Sequence, residues 1–154
     1  MPNILLARID NRLIHGQVGV TWTTSLGANL LVVVDDEVAQ DTLQQELMTI
    51  TTNSIGVGVR FFTVAKTIEI IHKASEAQKI FIIAKTPEVI AQLLEGGVPI
   101  PKVNVGNMHF AEGKERLSTK VYVDDHDRQQ LEKIKSFGVY LFIQDVPGME
   151  IIKL

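Results

Sequence analysis

Asn29-Leu30-Leu31-Val32-Val33-Val34 is apolar without interruption after its first residue. A strand with one wet face alternates apolar and polar residues, so a continuous run reads as a strand covered on both faces, as in parallel sheets packed between helices. Working outward from it, comparable runs lie at Asn3–Ile9, Gly58–Thr63, Lys79–Ala84, Lys102–Val105, Lys120–Val123 and Val139–Gln144. Amphipathic helical segments separate most of them. Asp41 is placed to cap a helix that turns Leu43, Leu47 and Ile50 inward. Thr86-Pro87 opens a second helix, with Val89, Ile90, Leu93 and Leu94 inward and Gly96-Gly97 as its stop. Leu131, Ile134 and Phe137 form the same stripe before Gly138. Gly106–Ser118 is weakly periodic and reads as a loop, so the strands it joins are most easily antiparallel. The expectation is one α/β domain over residues 1–154, an open, mostly parallel sheet of about seven strands, one antiparallel, with helices on both faces.

Composition narrows the function. The chain has 154 residues and a formal charge of -3, so no global basic field exists to hold nucleic acid or an anionic membrane. The longest apolar stretches, Leu30–Val34 among them, are far below the roughly 20 residues that span a bilayer. The N-terminus lacks the basic and apolar regions of a signal peptide, and a cytoplasmic location is expected. The mean hydropathy of +0.16 then reflects buried strands. With no cysteine, disulfides, thiolate metal sites and thiol catalysis are excluded, and four histidines remain for chemistry near neutral pH.

The chemistry concentrates in Arg8-Ile9-Asp10-Asn11-Arg12-Leu13-Ile14-His15-Gly16-Gln17-Val18, which leaves the first strand and enters a helix running to about Leu26. In parallel α/β sheets, ligands bind outside the carboxyl ends of strands. A neutral imidazole is a nucleophile near pH 7, and its attack on phosphorus gives a phosphohistidine, dividing transfer into two steps. Around His15, Arg8 and Arg12 would offer planar forks to phosphate oxygens, and the helix start its N–H groups. Gly16 would allow close approach, Gln17 would donate a hydrogen bond, and Asp10 would orient either an arginine or the imidazole. The bland reading is a capping histidine beside surface ion pairs. Leu13 and Ile14 serve either as partner contacts or as anchors of the loop.

Arg8–Val18 resembles, without a gap, the motif R-I-D-[DNE]-R-L-I-H-G-Q-V of the IIB components of the mannose/sorbose family of the bacterial phosphoenolpyruvate-dependent sugar phosphotransferase system. The likeness extends through Trp22, Asp36-Glu37-Val38, Lys85-Thr86-Pro87 and Gly97-Val98-Pro99. It continues in Asn104–His109, which with Gly113-Lys114 looks most like the N-acetylgalactosamine or galactosamine branch. This resemblance implies a cytoplasmic phosphocarrier, associated peripherally with the membrane through its permease. His15 would accept a phosphoryl group from a phosphohistidine IIA partner and pass it to a sugar presented by the membrane IIC/IID pair. Arg12 is similar to the family arginine that contacts the phosphoryl group. Asn11 stands where many relatives carry an acid. A homodimer is left open, and no cofactor is implied.

Other signals have local explanations. His109 and Asn107 would lie near His15, with a local hydrogen-bonding role as the alternative, and Trp22 either packs the core or floors the site. Asp124-Asp125-His126-Asp127 suits a helix start better than a metal site, and His72 reads as a surface residue. Gly56-Val57-Gly58 lacks a third glycine, and Gly106–Lys114 has six residues between its glycines where a phosphate loop has four, so no ATP site is implied. Two rivals remain. One is a phosphoaspartate receiver using Asp35, Asp36 and Lys85, which come in the wrong order. The other is a non-catalytic phosphosugar- or nucleotide-binding domain anchored by Arg8 and Arg12.

Overall fold

A computed structural model of the chain describes residues 1–154. Nine strands and five α-helices follow in the order β1 (Asn3–Asp10), α1 (Gly16–Leu26), β2 (Leu30–Val34), α2 (Thr42–Ser54), β3 (Gly58–Phe62), α3 (Val64–Ile70), β4 (Lys79–Ala84), α4 (Pro87–Glu95), β5 (Lys102–Asn107), β6 (Glu115–Ser118), β7 (Val121–Val123), α5 (Asp125–Ser136), β8 (Tyr140–Ile143) and β9 (Ile152–Lys153). Seven strands form one sheet, ordered β3-β2-β4-β1-β5-β8-β9, parallel throughout except for β9 against β8.

The uninterrupted apolar runs are explained by two cores on opposite faces of that sheet. Leu31, Val33, Phe81 and Ile83 pack with Trp22 of α1 and Met48 of α2. Their neighbours Val32, Val34, Ile82 and Ala84 pack with Ile90, Leu93 and Leu94 of α4 and Leu131 and Ile134 of α5. Alternate residues of one strand thus enter different cores, and polar alternation has no place. Thr86 caps α4 by accepting from the Val89 N–H, and Pro87 occupies its first turn.

Three expectations are corrected. The antiparallel member of the main sheet is the two-residue β9; Lys120–Val123 instead supplies β7, paired with β6 in a separate hairpin. The segment expected as a loop therefore contains β6, and β5 extends to Asn107. A second correction concerns α2, which rests on the sheet through Met48 and Thr52, leaving Leu43, Leu47 and Ile50 exposed. Spacings of four and three place residues on one face but do not say which face meets the core. Third, Leu131 and Ile134 are buried as expected, but Phe137 lies just past α5 and is exposed.

Strand order fixes where a site can form. From β1 the chain leaves through α1 toward β2 on one side, whereas β5, hydrogen-bonded to β1 on the other side, continues toward β8. The connections diverge at the carboxyl ends of β1 and β5, the switch point at which open α/β sheets bind ligands.

Candidate functional site

The loop Asn11–His15 occupies that switch point. It turns sharply, with the Leu13 N–H donating to the Asp10 carbonyl at 3.0 Å and Leu13 itself at φ 59°, a left-handed conformation unusual for a leucine. Burial of Leu13 and Ile14 in the α1/α2-side core holds the turn in place. Both are anchors of the loop. Gly16 follows at φ 51°, where glycine avoids the Cβ penalty, and an added Cβ would meet nothing within 4 Å.

His15 is exposed at the N-cap of α1, with extended backbone and no side-chain capping bond. Neither an acidic residue nor a side-chain cap occupies the first turn of this helix. Its outermost N–H groups and the positive end of its dipole are therefore free to meet an anion attached to His15. Gln17, exposed in that first turn, accompanies it.

Asp10 organises the arginines. One carboxylate oxygen accepts from the Arg12 backbone N–H at 2.9 Å and from Nε at 3.0 Å; the other accepts from Arg12 Nη2 at 3.0 Å and Arg8 Nη2 at 3.2 Å. The imidazole is not among its partners. Arg12 Nη1 makes no protein hydrogen bond and its side chain is 22% exposed, so one edge of the guanidinium remains available to a phosphate oxygen. Hydrogen bonding to Asp10 raises the Arg12 pKa, against a smaller lowering by burial, and keeps the group cationic.

Arg8 is placed differently from the expected phosphate fork. It is 2% exposed, donating to Asn104 Oδ1 at 2.6 Å and to the Gln144 carbonyl at 3.2 Å, with its guanidinium 5.3 Å from the centre of the Trp22 ring. Trp22 packs in the core and donates from Nε1 to the Asp145 carbonyl at 2.9 Å, so it underlies Arg8.

Asn11, which the spacing did not single out, ties the loop to its surroundings. Its Nδ2 donates to the Lys85 carbonyl at 3.1 Å, its backbone N–H donates to the Asn107 carbonyl at 3.1 Å, and its Oδ1 accepts from the His109 N–H. An acid here would keep the last contact and lose the amide donor. His109 is thereby brought against the loop with an exposed side chain. Asn107 is buried beside Asp10 in the β1–β5 register, and nothing in the structure explains its unpartnered Nδ2. The anchors Asn104 and Gln144 were also missed; the available signal was an asparagine inside the otherwise apolar run Val103–Val105.

The rival acids have structural work. Asp35 accepts from the Val38 N–H at 3.0 Å and lies 3.6 Å from Lys85, and Asp36 accepts from the Val64 N–H at 2.9 Å. Asp124 and Asp127 form a reciprocal capping box at the start of α5, and Asp127 also pairs with Lys114 at 3.0 Å.

Comparison with known proteins places the chain in a family. Residues 4–154 match the family described as PTS system sorbose subfamily IIB component. The chain is 63% identical over 147 residues to the N-acetylgalactosamine-specific phosphotransferase enzyme IIB component 1 of Escherichia coli strain K12, covering 96% of this chain and 93% of that one. A crystal structure of the N-acetylgalactosamine-specific IIB component 1 from Escherichia coli superposes with a TM-score of 0.97 at 60% identity, covering 99% of both chains. The mannose-specific EIIAB component of the same strain is 38% identical over 142 residues, 92% of this chain but 44% of that longer one.

Proposed function

The chain belongs to the sorbose-subfamily IIB components of the sugar phosphotransferase system, and from that premise we propose that His15 is the residue that carries the phosphoryl group. Members of this family are phosphotransferases that take a phosphoryl group from a IIA partner and pass it, through the membrane IIC/IID components, to a sugar. The observation that supports His15 is its exposure at the uncapped N-terminus of α1, at the end of a loop that also carries Arg12, locked by Asp10 with one edge of its guanidinium free.

In the first step the lone pair of a His15 ring nitrogen attacks phosphorus, a new N–P bond forms, and the N–P bond to the donor histidine breaks. In the second, a sugar hydroxyl oxygen attacks the same phosphorus, the bond to His15 breaks, and the hydroxyl proton is lost to a base on the acceptor side. Charge on the transferring group is greatest at its equatorial oxygens, where Arg12 and the α1 N–H groups stabilise it. Arg12 is aligned in advance by Asp10. Gln17 in the first turn of α1 and His109 against the loop are both exposed at this end of the sheet. Arg8 acts from within the protein.

The sugar assigned is N-acetylgalactosamine, on the strength of the relative named for it. The IIA partner is a separate chain or a fused domain, as the extra length of the EIIAB relative suggests. Association with the membrane runs through the permease, because no helix of this protein is long and apolar enough to cross a bilayer.

Reconstitution tests this reading. Vesicles carrying IIC/IID, supplied with phosphorylated IIA and this chain, should form N-acetylgalactosamine phosphate with the wild type and none with His15→Ala. Sugar phosphate formed at an undiminished rate with His15→Ala would overturn it, and a preference for mannose would overturn the sugar assignment alone.

A further inference from the structure

We propose that Asn104 and Gly106 of β5 are positioning residues for phosphoryl transfer, setting the aim of Arg12 through the buried guanidinium of Arg8. The inference rests on the reading that His15 carries the phosphoryl group with Arg12 beside it.

The relay can be followed atom by atom. Asn104, with no exposed surface, accepts from Arg8 Nη1 through Oδ1 at 2.6 Å and donates from Nδ2 to the Gln144 carbonyl at 3.0 Å. Its amide is thus satisfied in one orientation, and that orientation fixes the guanidinium plane. Gly106 supplies the space. A Cβ built there would lie 2.0 Å from Arg8 Cζ and 2.2 and 2.3 Å from the two terminal nitrogens, far inside any contact distance. The clash is with the centre of a guanidinium held on every side, so it cannot be relieved by swinging a loose chain end. Trp22 lies on one side of it, and Asp10 and Asn104 hold its edges.

The other end of the relay is Asp10. Arg8 Nη2 donates to the same oxygen that accepts from Arg12 Nη2. Displacing Arg8 removes a cation from a buried carboxylate that sets both the Arg12 backbone and its guanidinium, so Arg12 must shift or loosen. Burial lowers the Arg8 pKa, opposed chiefly by the charge of Asp10. Transfer is sensitive to such motion, because misplacement of a charge-stabilising group by about an ångström costs orders of magnitude in rate. Neither Asn104 nor Gly106 touches the reacting atoms in this account. Their effect is carried by two intervening side chains, Arg8 and Asp10.

Gly106→Ala and Asn104→Ser test the relay, the second creating less crowding in case the first does not fold. Two quantities are read: the rate of His15 phosphorylation by the small-molecule N–P donor phosphoramidate, and the Arg12 Nε–H resonance, which the bond to Asp10 should shift and protect from exchange. Ile134→Ala, in the core on the far face of the sheet, serves as a destabilised control. The expected result is at least a tenfold slower phosphorylation in a folded variant, with the Arg12 resonance moved or exchange-broadened. Ile134→Ala should keep both wild-type values while it remains folded. A wild-type rate, or a slow rate with an unmoved Arg12 resonance, in whichever of the two variants folds would overturn the relay. Failure of the underlying reading shows separately, as labelling that persists in His15→Ala.

Discussion

In the proposed reading, Arg12 and Asp10 are the residues on which the chemistry turns after His15. Arg12→Ala removes charge stabilisation and little core area, since the side chain is partly exposed. Because it also takes two side-chain donors from the buried Asp10 carboxylate, it should fold but lose about 1–3 kcal/mol and slow phosphorylation about a hundredfold, the order found for losing one oxyanion donor. Denaturant melts and a phosphorylation time course check both; a variant that unfolds readily but transfers normally once folded would make Arg12 structural. Arg8→Ala should cost more, failing to fold or losing several kcal/mol, because it empties a buried position and takes donors from Asn104 and the Gln144 carbonyl as well as from Asp10. The sequence string announced both arginines equally and could not tell them apart. Alternation along β1 turns Arg8 toward Trp22 between sheet and helix, whereas Arg12 lies past the strand end, and that distinction depends on β5 and β8 supplying Asn104 and Gln144.

At the scale of elements, α1 begins without a side-chain cap, and the residue at its N-cap is the one assigned to carry phosphate. A phosphoryl group there would accept from first-turn N–H groups and complement the helix dipole. Hydrogen exchange at the Gln17, Val18 and Gly19 amides should therefore slow in the phosphorylated protein; unchanged exchange would place the phosphoryl group away from the helix start. At α5 the sign follows from a depressed pKa. The Asp124 carboxyl is held below its ordinary value of 3.8 chiefly by the Asp127 backbone N–H, so its contribution is present above that value and is lost as pH falls through the lower folded one. Asp124→Ala should accordingly melt below the wild type at pH 7, with the gap narrowing at strongly acid pH; a gap independent of pH would mean the charge contributes nothing. Helix starts at Thr86-Pro87 and Asp124 were legible because capping is local chemistry. The inward face of α2 was not, because Leu43, Leu47 and Ile50 satisfy helical spacing as well as Met48 and Thr52 do, and only the packing of the helix against β3 decides between them. β9 was illegible for a related reason: two residues carry no period.

Across the whole molecule, continuous apolar strands foretold a sheet with two covered faces, and the structure supplies a separate core for each. The motif was legible as the segment that follows β1, but only the strand order, with connections diverging from β1 and β5, makes that strand end a switch point. Which strand closes the edge depended on long-range pairing that no local pattern encodes. With a formal charge of -3 and attachment proposed to run through the permease, the protein should ignore anionic lipid vesicles and co-sediment with those that contain IIC/IID; equal binding to lipid alone would contradict that proposal. The proposal that the exposed His15 carries phosphate is tested by incubating wild-type and His15→Ala protein with phosphorylated IIA and measuring the bound phosphate by mass and by acid and alkali lability. One phosphoryl group per wild-type chain, stable in alkali and lost in acid, is expected, and none on His15→Ala; an alkali-labile phosphate, or stoichiometric labelling of the variant, would overturn it.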